Sequence, residues 1–579
     1  MDLNEWKKLL DIQENEVIQI TTTLDLPNQR IIASDVDRTR TNILSPEEKS
    51  QLELLLTFYC KEFNTAYKQG MNEIMAPFLL MAREGFSLSS VYVGFKNFLH
   101  KHLPTMFADQ SFKPLQAMFL IFRLLLRYFD PRLSTFFLVN HVEPQSFVTS
   151  WYITLFAGKI NNLTCLYYLW KEIIYENDQL FPLYLSLAII QKNRDKIACC
   201  QDKIVPQVIS QIFLDDLDEL KIIINSARQV KGKLPYSIAE KLMSYDIFNL
   251  EHIEDIIRCL EKEPCLTILP QEIVHRAYPE VNICKCDDMQ CPWRNEIGHR
   301  VPLVVIDCRT IQKQSAGIFP NSVLLNDAAY IDSECMMNFP DQFMPMRGLF
   351  HFCLMGSETY NGTSFDLSQS VSETNDIIKN MLENLLQAFL MKGFPYISFL
   401  EGGFEMTHNF AQSLNLYLEN HDKSSCHTCI KNSKGKANSP TQKPWRKIQH
   451  PIIQESYSSQ VFTSRKTSLN NEKFLFICHK YENNHSSKED YMINLSSQWF
   501  GVSIVTNELI QEVFKTKISG LCKLSFIKKN PKVINVKFEE MPDDMFFLMK
   551  SADEAKLCVG QIARLSQALK NAEANLATS

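Results

Sequence analysis

Residues 31–42, IIASDVDRTRTN, and residues 67–74, YKQGMNEI, are the two polar stretches on which the reading of this chain turns. In the first, Ile32, Asp35 and Arg38 stand at I-x-x-D-x-x-R spacing. In the second, Tyr67, Gln69, Gly70, Met71 and Asn72 follow in close succession. Both sit in a region whose other residues are mostly apolar at helical spacing. SQLELLLTFYCKEF (50–63), PLQAMFLIFRLLLRYF (114–129) and TSWYITLFAGKI (149–160) place apolar residues at i, i+3, i+4 and i+7. That period predicts helices, and the near-continuous apolar character of several of them predicts a thick multi-helix domain over residues 1–260.

Together the two stretches resemble the paired finger motifs of TBC domains, the Rab GTPase-activating fold. The resemblance continues at Trp151, at LWKEII with Trp170, and at LYLSLAIIQKNRDKI (183–197), and covers roughly the first 230 residues. It implies that Arg38 is an arginine finger, that Gln69 positions the attacking water, that Asp35 orients the arginine, and that Tyr67 and Gly70 shape the glutamine loop. The chemistry wants these residue types, because assisted GTP hydrolysis is mostly positioning and charge stabilisation, and an arginine supplied in trans is worth about 10³–10⁵ in rate. The other reading is that Arg38 and Gln69 are ordinary surface residues. The start departs from the family pattern. An arginine usually stands four residues before the first tryptophan, whereas here Asp2 precedes Trp6. The expectation is that the first turns of the domain are missing.

Beyond residue 264 the texture changes. VPLVVIDCRT (301–310), LFHFCLMGS (349–357) and YISFLEGGF (396–404) read as short buried parallel strands, and SETNDIIKNMLENLLQAFLMKGF (372–394) as an amphipathic helix stopped at Gly393. Strands alternating with helices predict an α/β domain over 264–420. Asp307 and Arg309, then Gly317 and Pro320, then Gly402, Gly403 and Phe404 follow the order of a rhodanese domain. The resemblance places Cys353 at the sulfur-accepting position, at the end of a central strand. An active loop there usually reads C-x-x-G-x-R. Cys353 and Gly356 fit, but Glu358 replaces the arginine. A carboxylate opposes both a thiolate and an anionic sulfur donor, so the rhodanese-like domain is expected to be inactive.

Residues 421–470 are polar and read as a mobile linker. Short β-type segments then occupy 471–579: KFLFICHKY, FGVSIVTN, GLCKLSFIKK, KVINVKFEE and DMFFLMK. They close with a helix, SADEAKLCVGQIARLSQALKNAEA. That pattern suggests a PH-like barrel. Lys523, Lys528, Lys529 and Lys532 lie on or beside one hairpin with its turn expected at Asn530–Pro531. They are candidate phosphoinositide-binding residues, at about 1 kcal/mol per lysine near an anionic surface. The alternative is a solvated charged hairpin.

Cys284, Cys286 and Cys291 precede the first strand of the α/β domain, and Cys426 and Cys429 form C-x-x-C after it. Since the ends of a compact domain often lie close together, four of the five could hold one zinc ion. Otherwise they are independent free thiols. No other cofactor is expected. A net charge of −6 argues against nonspecific nucleic-acid binding by the whole chain. No secretory-type leader and no apolar run of membrane-spanning length are present, so a cytoplasmic protein is expected, with its cysteines reduced.

TBC, rhodanese-like and PH-like parts in this order resemble the TBC–rhodanese trafficking proteins. The resemblance implies an adaptor that links endosome-derived vesicles to golgin coiled-coil tethers at the trans-Golgi network. Its implied partners are a Rab GTPase, golgins, a subunit of the endosomal actin-nucleation (WASH) complex, and membranes carrying phosphatidylinositol 4-phosphate. The second reading is a Rab GTPase activator using Arg38 and Gln69. The best-known animal proteins of this type have eroded fingers. This chain keeps them.

Overall fold

The computed structural model describes residues 2–13, 17–108, 111–200, 204–278, 301–309, 316–320, 322–325, 333–357, 373–424, 426, 428–430, 474–482, 485–495, 499–505, 510–527, 530–539 and 544–549, and 551–566 in part. The chain divides into two compact units. The first takes in Met1–Asp341 and Met346–Pro440, and the second Thr441–Ser579 and Gln342–Pro345.

In the first unit the helical region runs through α1 (Leu3–Leu9), α2 (Gln29–Arg38), α3 (Pro46–Glu62), α4 (Met71–Leu80), α5 (Leu88–His102), α6 (Lys113–Phe129), α7 (Pro131–Val139) and α8 (Gln145–Ile153). It continues with α9 (Leu163–Glu176), α10 (Phe181–Lys192), α11 (Arg194–Ala198), α12 (Val205–Ser210), α13 (Leu217–Lys233), α14 (Tyr236–Ser244) and α15 (Ile253–Lys262). Every residue of α10 from Phe181 to Ile190 is buried, and so is every residue of α4 except Glu73. These are the central helices, which is why their sequences are apolar on all sides. Local signals agree with the packing. Ser45 and Glu48 form a reciprocal capping box at the start of α3, with Pro46 at its first position. Asp2 caps α1, accepting from the backbone N–H of Asn4 at 3.0 Å and of Glu5 at 3.3 Å, and Trp6 is buried against Tyr167.

A parallel sheet follows, built from β1 (Thr267–Ile268), β2 (Leu303–Asp307), β3 (Ser322–Leu324), β4 (His351–Met355) and β5 (Ile397–Leu400). Among the described residues its order is β1-β5-β4-β2-β3. The helices between and after the strands are α16 (Pro270–Ala277), α17 (Ser333–Asn338), α18 (Glu373–Met391) and α19 (Gly403–Ser413). β4 lies between β2 and β5, with Val305, Cys353 and Ser398 in register. The C-terminal ends of β2, β4 and β5 therefore lie side by side, with the Cys308 N–H donating to the Met355 carbonyl and the Phe404 N–H to the Gly356 carbonyl, each at 2.9 Å.

The sheet is joined to the helical region by buried contacts. The backbone N–H of Tyr396 donates to the Tyr128 carbonyl at 2.7 Å, and the rings of Tyr128, Phe129 and Tyr396 meet edge to face. His351 sits between the Ser398 hydroxyl, at 2.6 Å, and the Tyr128 hydroxyl, at 3.4 Å. On another side the Lys241 ammonium reaches Glu263 at 3.0 Å, Thr267 at 2.6 Å and Glu401 at 3.1 Å. Burial alone would lower the Lys241 pKa. Glu263, Tyr245 and Glu401 outweigh it and hold it above the usual lysine value.

The second unit contains a seven-stranded antiparallel sheet among the described residues. Its strands are β6 (Phe474–Glu482), β7 (His485–Leu495), β8 (Trp499–Val505), β9 (Ile510–Lys517), β10 (Leu521–Ile527), β11 (Asn530–Phe538) and β12 (Met545–Met549), in the order β10-β11-β12-β6-β7-β8-β9. Phe500 of β8 meets Phe538 of β11 with ring centroids 4.8 Å apart, although three strands separate β8 from β11 in the sheet order. The sheet is therefore folded onto itself around one core. Ala555, Cys558 and Ile562, at helical spacing, are buried in that core. Among the described residues, no helix is long and apolar enough to cross a membrane.

Candidate functional site

The two polar stretches quoted at the outset are brought together by one hydrogen-bond network. Ile32 and Val36 anchor the inner face of α2 in the core, which leaves Arg38 as its last residue. Asp35 is 6% exposed and uses both carboxylate oxygens. One accepts from the Arg38 guanidinium at 2.9 Å, and the other accepts from the Tyr67 hydroxyl at 2.9 Å. The Arg38 Nε donates to the Ser34 carbonyl at 3.1 Å, while its side chain is 72% exposed. Burial first, then the Asp35 charge, raises the Tyr67 phenol far above its ordinary pKa, so it stays a donor.

A second strand of the network runs behind the first. Thr39 Oγ1 donates to the Asp35 carbonyl at 2.7 Å, Asn72 Nδ2 donates to Thr39 Oγ1 at 2.7 Å, and the Gly70 N–H donates to Asn72 Oδ1 at 3.0 Å. Gly70 opens α4 with φ 109°, in the left-handed region. A Cβ on it would lie 2.4 Å from Ile153 Cγ2, so both backbone and packing require glycine. Gln69, the residue before it, is exposed. The site thus presents an arginine and a glutamine outward, each carried on a buried and hydrogen-bonded base.

Arg40, Glu73 and the structural role of Thr39 were not singled out in the sequence. The Arg40 guanidinium is 6% exposed, donates to the carbonyls of Ala157 at 2.7 Å and Ile160 at 3.1 Å, and lies 4.0 Å from Glu73. Burial lowers the Arg40 pKa and raises that of Glu73, and each charge restrains the other's shift. The second arginine of the D-R-T-R run was the available signal: one arginine faces out, the other holds the helix junction beneath.

At the C-terminal edge of the parallel sheet the described motif residues also converge. Asp307 and Arg309 form a buried pair, 2.6 Å at the closest contact. The guanidinium also donates to the Gly317 carbonyl at 2.7 Å and stacks 3.5 Å over the Phe404 ring. Pro320 lies just after this turn, and Gly402 and Gly403 precede Phe404 at positive φ. Cys353 requires a correction. It is not at a strand end but in the middle of β4, 0% exposed, because the apolar run HFCLM continues two residues past it. Burial pushes its thiol pKa well up. Gly356 and Ser357 begin the loop that follows. Glu358 lies outside the described residues.

The cysteine expectation falls only partly on described residues. Cys284, Cys286 and Cys291 lie outside the described residues. Cys426 and Cys429 do come together, but with His408 of α19 and with His421, and the ligating atoms of all four lie within 4.8 Å of one another. Residues 421–430, expected to open a mobile linker, are folded back over α19 by these contacts in their described part. Burial, then the neighbouring His421, lowers the His408 pKa to about 4. The signal for His421 was its H-x4-C-x2-C spacing. His408 had none, being a lone histidine on an amphipathic helix.

Two of the four candidate lysines, Lys523 and Lys532, are among the described residues. The Lys523 ammonium is held by the Asp544 carboxylate at 2.7 Å, and Lys532 is exposed. Lys528 and Lys529 lie outside the described residues. Ile527 of β10 pairs directly with Asn530, so Asn530 and Pro531, expected to form the turn, belong to strand β11.

A family model described as the Rab-GTPase-TBC domain matches residues 2–198. A Dictyostelium discoideum protein described as "TBC domain-containing protein kinase-like protein" is 24% identical over 201 residues, which is 33% of this chain and 19% of that protein. The chain is thus comparable with about a fifth of that relative's length. Among solved structures, the Ypt/Rab-GAP domain of Gyp1p is similar at a TM-score of 0.32 and 15% identity, covering 39% of this chain and 78% of its own. The Chlamydomonas flagellar RabGAP TBC domain gives 0.30 and 14%, covering 39% and 72%. The N-terminal part of this chain, residues 2–198, is a TBC domain.

Proposed function

We propose that this chain is a Rab-facing trafficking adaptor of the TBC–rhodanese type. The observation that carries the reading is the joint base of the two finger stretches. Asp35, Tyr67, Thr39, Asn72 and Gly70 hold an exposed arginine and an exposed glutamine on the surface of a TBC domain. A Rab GTPase is the partner such a surface would meet. The parallel-sheet domain is read as rhodanese-like and noncatalytic, supported by the buried mid-strand position of Cys353. Its buried contacts with the helical region make the pair one platform, on which golgin coiled coils would dock. The second unit is read as PH-like, supported by its folded seven-stranded sheet and buried helical stripe. It would meet vesicle-side factors: anionic phosphoinositide and the WASH complex subunit. The chain would then act at the cytoplasmic face of the trans-Golgi network and of endosome-derived vesicles.

A second reading, stimulation of GTP hydrolysis, has one observation in its favour. Arg38 is 72% exposed at the end of α2 while tethered to a buried carboxylate. Full-length chain assayed against a panel of GTP-loaded Rabs, for both binding and hydrolysis, separates the two. The adaptor reading predicts binding of at least one Rab and capture of a golgin, with hydrolysis changed by less than about twofold. The second predicts acceleration of about 10³-fold or more, lost in Arg38→Ala. Absence of binding to every Rab overturns both.

A further inference from the structure

We propose that His408, His421, Cys426 and Cys429 bind one zinc ion in a closed tetrahedral site that clasps the segment following α19 onto the parallel-sheet domain. The distances carry the assignment. His408 Nε2 lies 3.6 Å from Cys426 Sγ, 3.7 Å from Cys429 Sγ and 3.1 Å from His421 Nε2. Cys429 Sγ lies 3.4 Å from His421 Nε2. Around a zinc ion with metal–sulfur bonds of about 2.3 Å and metal–nitrogen bonds of about 2.0–2.1 Å, tetrahedral angles put sulfur and nitrogen about 3.6 Å apart and two nitrogens about 3.4 Å apart. The observed set matches this shell to within a few tenths of an ångström.

Hydrogen bonding alone does not account for the same geometry. His408 Nε2 has three neighbours at once, and a single imidazole nitrogen with one proton or one lone pair satisfies one of them. Cys426 and His408 are each 0% exposed, so water does not make up the difference there. A divalent cation satisfies all four groups together. It displaces the two thiol protons, and the two thiolates balance its charge. Two imidazoles and two thiolates are a ligand set suited to zinc, and four protein ligands leave no open position, which is the mark of a structural site. Gln412, one turn along α19 from His408, donates to Cys429 Sγ at 2.8 Å, the outer hydrogen bond such a thiolate takes.

The clasp has a definite target. Ile318 and Glu419 exchange backbone hydrogen bonds at 2.8 and 2.9 Å, and His421 backs Gly317 so closely that a Cβ there would lie 3.0 Å from His421 Cβ. Gly317 supplies the carbonyl that Arg309 uses. His408 lies 5.4 Å, centroid to centroid, from Phe404, on whose face Arg309 stacks. The metal therefore secures the layer that covers the buried Asp307–Arg309 pair.

The test is metal analysis of the full chain, purified untagged and without chelator, then exposed to zinc sulfate and gel-filtered. The proposal expects about one zinc per chain, lost in the Cys426→Ser/Cys429→Ser variant and retained when Cys284, Cys286 and Cys291 are all serine. Gln412→Ala keeps the metal at an affinity about 10- to 100-fold weaker. Should the double variant fail to fold, cobalt substitution of the wild-type chain decides. Thiolate-to-cobalt charge-transfer bands, bleached by added zinc, support the site, and their absence overturns it. A folded wild-type chain with no zinc, or zinc lost in the triple variant and kept in the double, also overturns it.

Discussion

Replacing Gly70 with alanine strikes the junction of the two finger stretches, and its cost can be worked from the structure. The first contribution is the backbone. At φ 109° an alanine adopts the left-handed region, at about 1–2 kcal/mol. The second is packing. The new Cβ would meet Ile153 Cγ2 at 2.4 Å. That atom is a branch on the β-carbon of a helical residue, so it cannot swing aside as a chain end would, and overpacking of this kind costs about 1–3 kcal/mol. Against these, alanine restricts the unfolded chain and returns about 0.4–1 kcal/mol. The net loss is roughly 1–4.6 kcal/mol, which lowers the unfolding midpoint of a domain of this size by roughly 2–18 °C. Thermal unfolding followed through Trp6, Trp151 and Trp170, all buried in the helical region, measures it. A double-mutant cycle with Ile153→Ala separates the two contributions. Removing Cγ2 should relieve the packing part and leave only the backbone part, a coupling of at least about 1 kcal/mol. A Gly70→Ala loss below about 0.5 kcal/mol, or one unchanged in the Ile153→Ala background, refutes the reasoning.

Acid should loosen the contact between the parallel sheet and the helical region. Burial holds the His351 pKa well below its ordinary 6.5, so below that pH the unfolded chain takes up a proton that the folded chain refuses, and stability falls by about 1.4 kcal/mol per pH unit. Thermal midpoints at pH 7.5 and 5.5 check this, and an unchanged pH slope in His351→Gln would refute it. Thiosulfate sulfurtransferase turnover should be absent, since the Cys353 thiol is 0% exposed; turnover abolished by Cys353→Ser contradicts that. Reversing Lys528 and Lys529 to glutamate should remove most binding of the full chain to vesicles containing phosphatidylinositol 4-phosphate, each lysine contributing about 1 kcal/mol. Lys523→Glu should weaken flotation less, because Asp544 already holds that charge; unchanged flotation of the double variant counts against a lipid role.

The helical region was legible because its signals are local. The apolar period of 114–129 is the buried face of α6, and the finger spacing of Ile32, Asp35 and Arg38 is one face of α2. The sequence pattern of β2, β4 and β5 also matches the strands observed, since each is a short run of apolar residues buried between neighbours. What escaped the reading depends on tertiary return. Cys426 and Cys429 were visible as a pair, but their partners come from a helix begun at Gly403 and from a segment that doubles back over it, a path no periodicity encodes. Asp544 neutralises Lys523 only because β12 pairs with β11, which in turn pairs with β10. The resemblance put Cys353 at a strand end, yet the strand continues to Met355. Arg40 was not singled out, because the Ala157 and Ile160 carbonyls that hold it come from a distant part of the chain.

The central claim, that Arg38 and Gln69 stand on one Rab-facing surface, is tested most directly by binding of the full chain to immobilised GTP-loaded Rabs, wild type against Arg38→Ala and Gln69→Ala. Both side chains are exposed, so neither substitution should unfold the domain. The account predicts that at least one Rab binds the wild-type chain and that each substitution weakens that binding by about tenfold or more, a loss of roughly 1.4 kcal/mol. Binding of a Rab that neither substitution alters, or no binding across the panel, would contradict it.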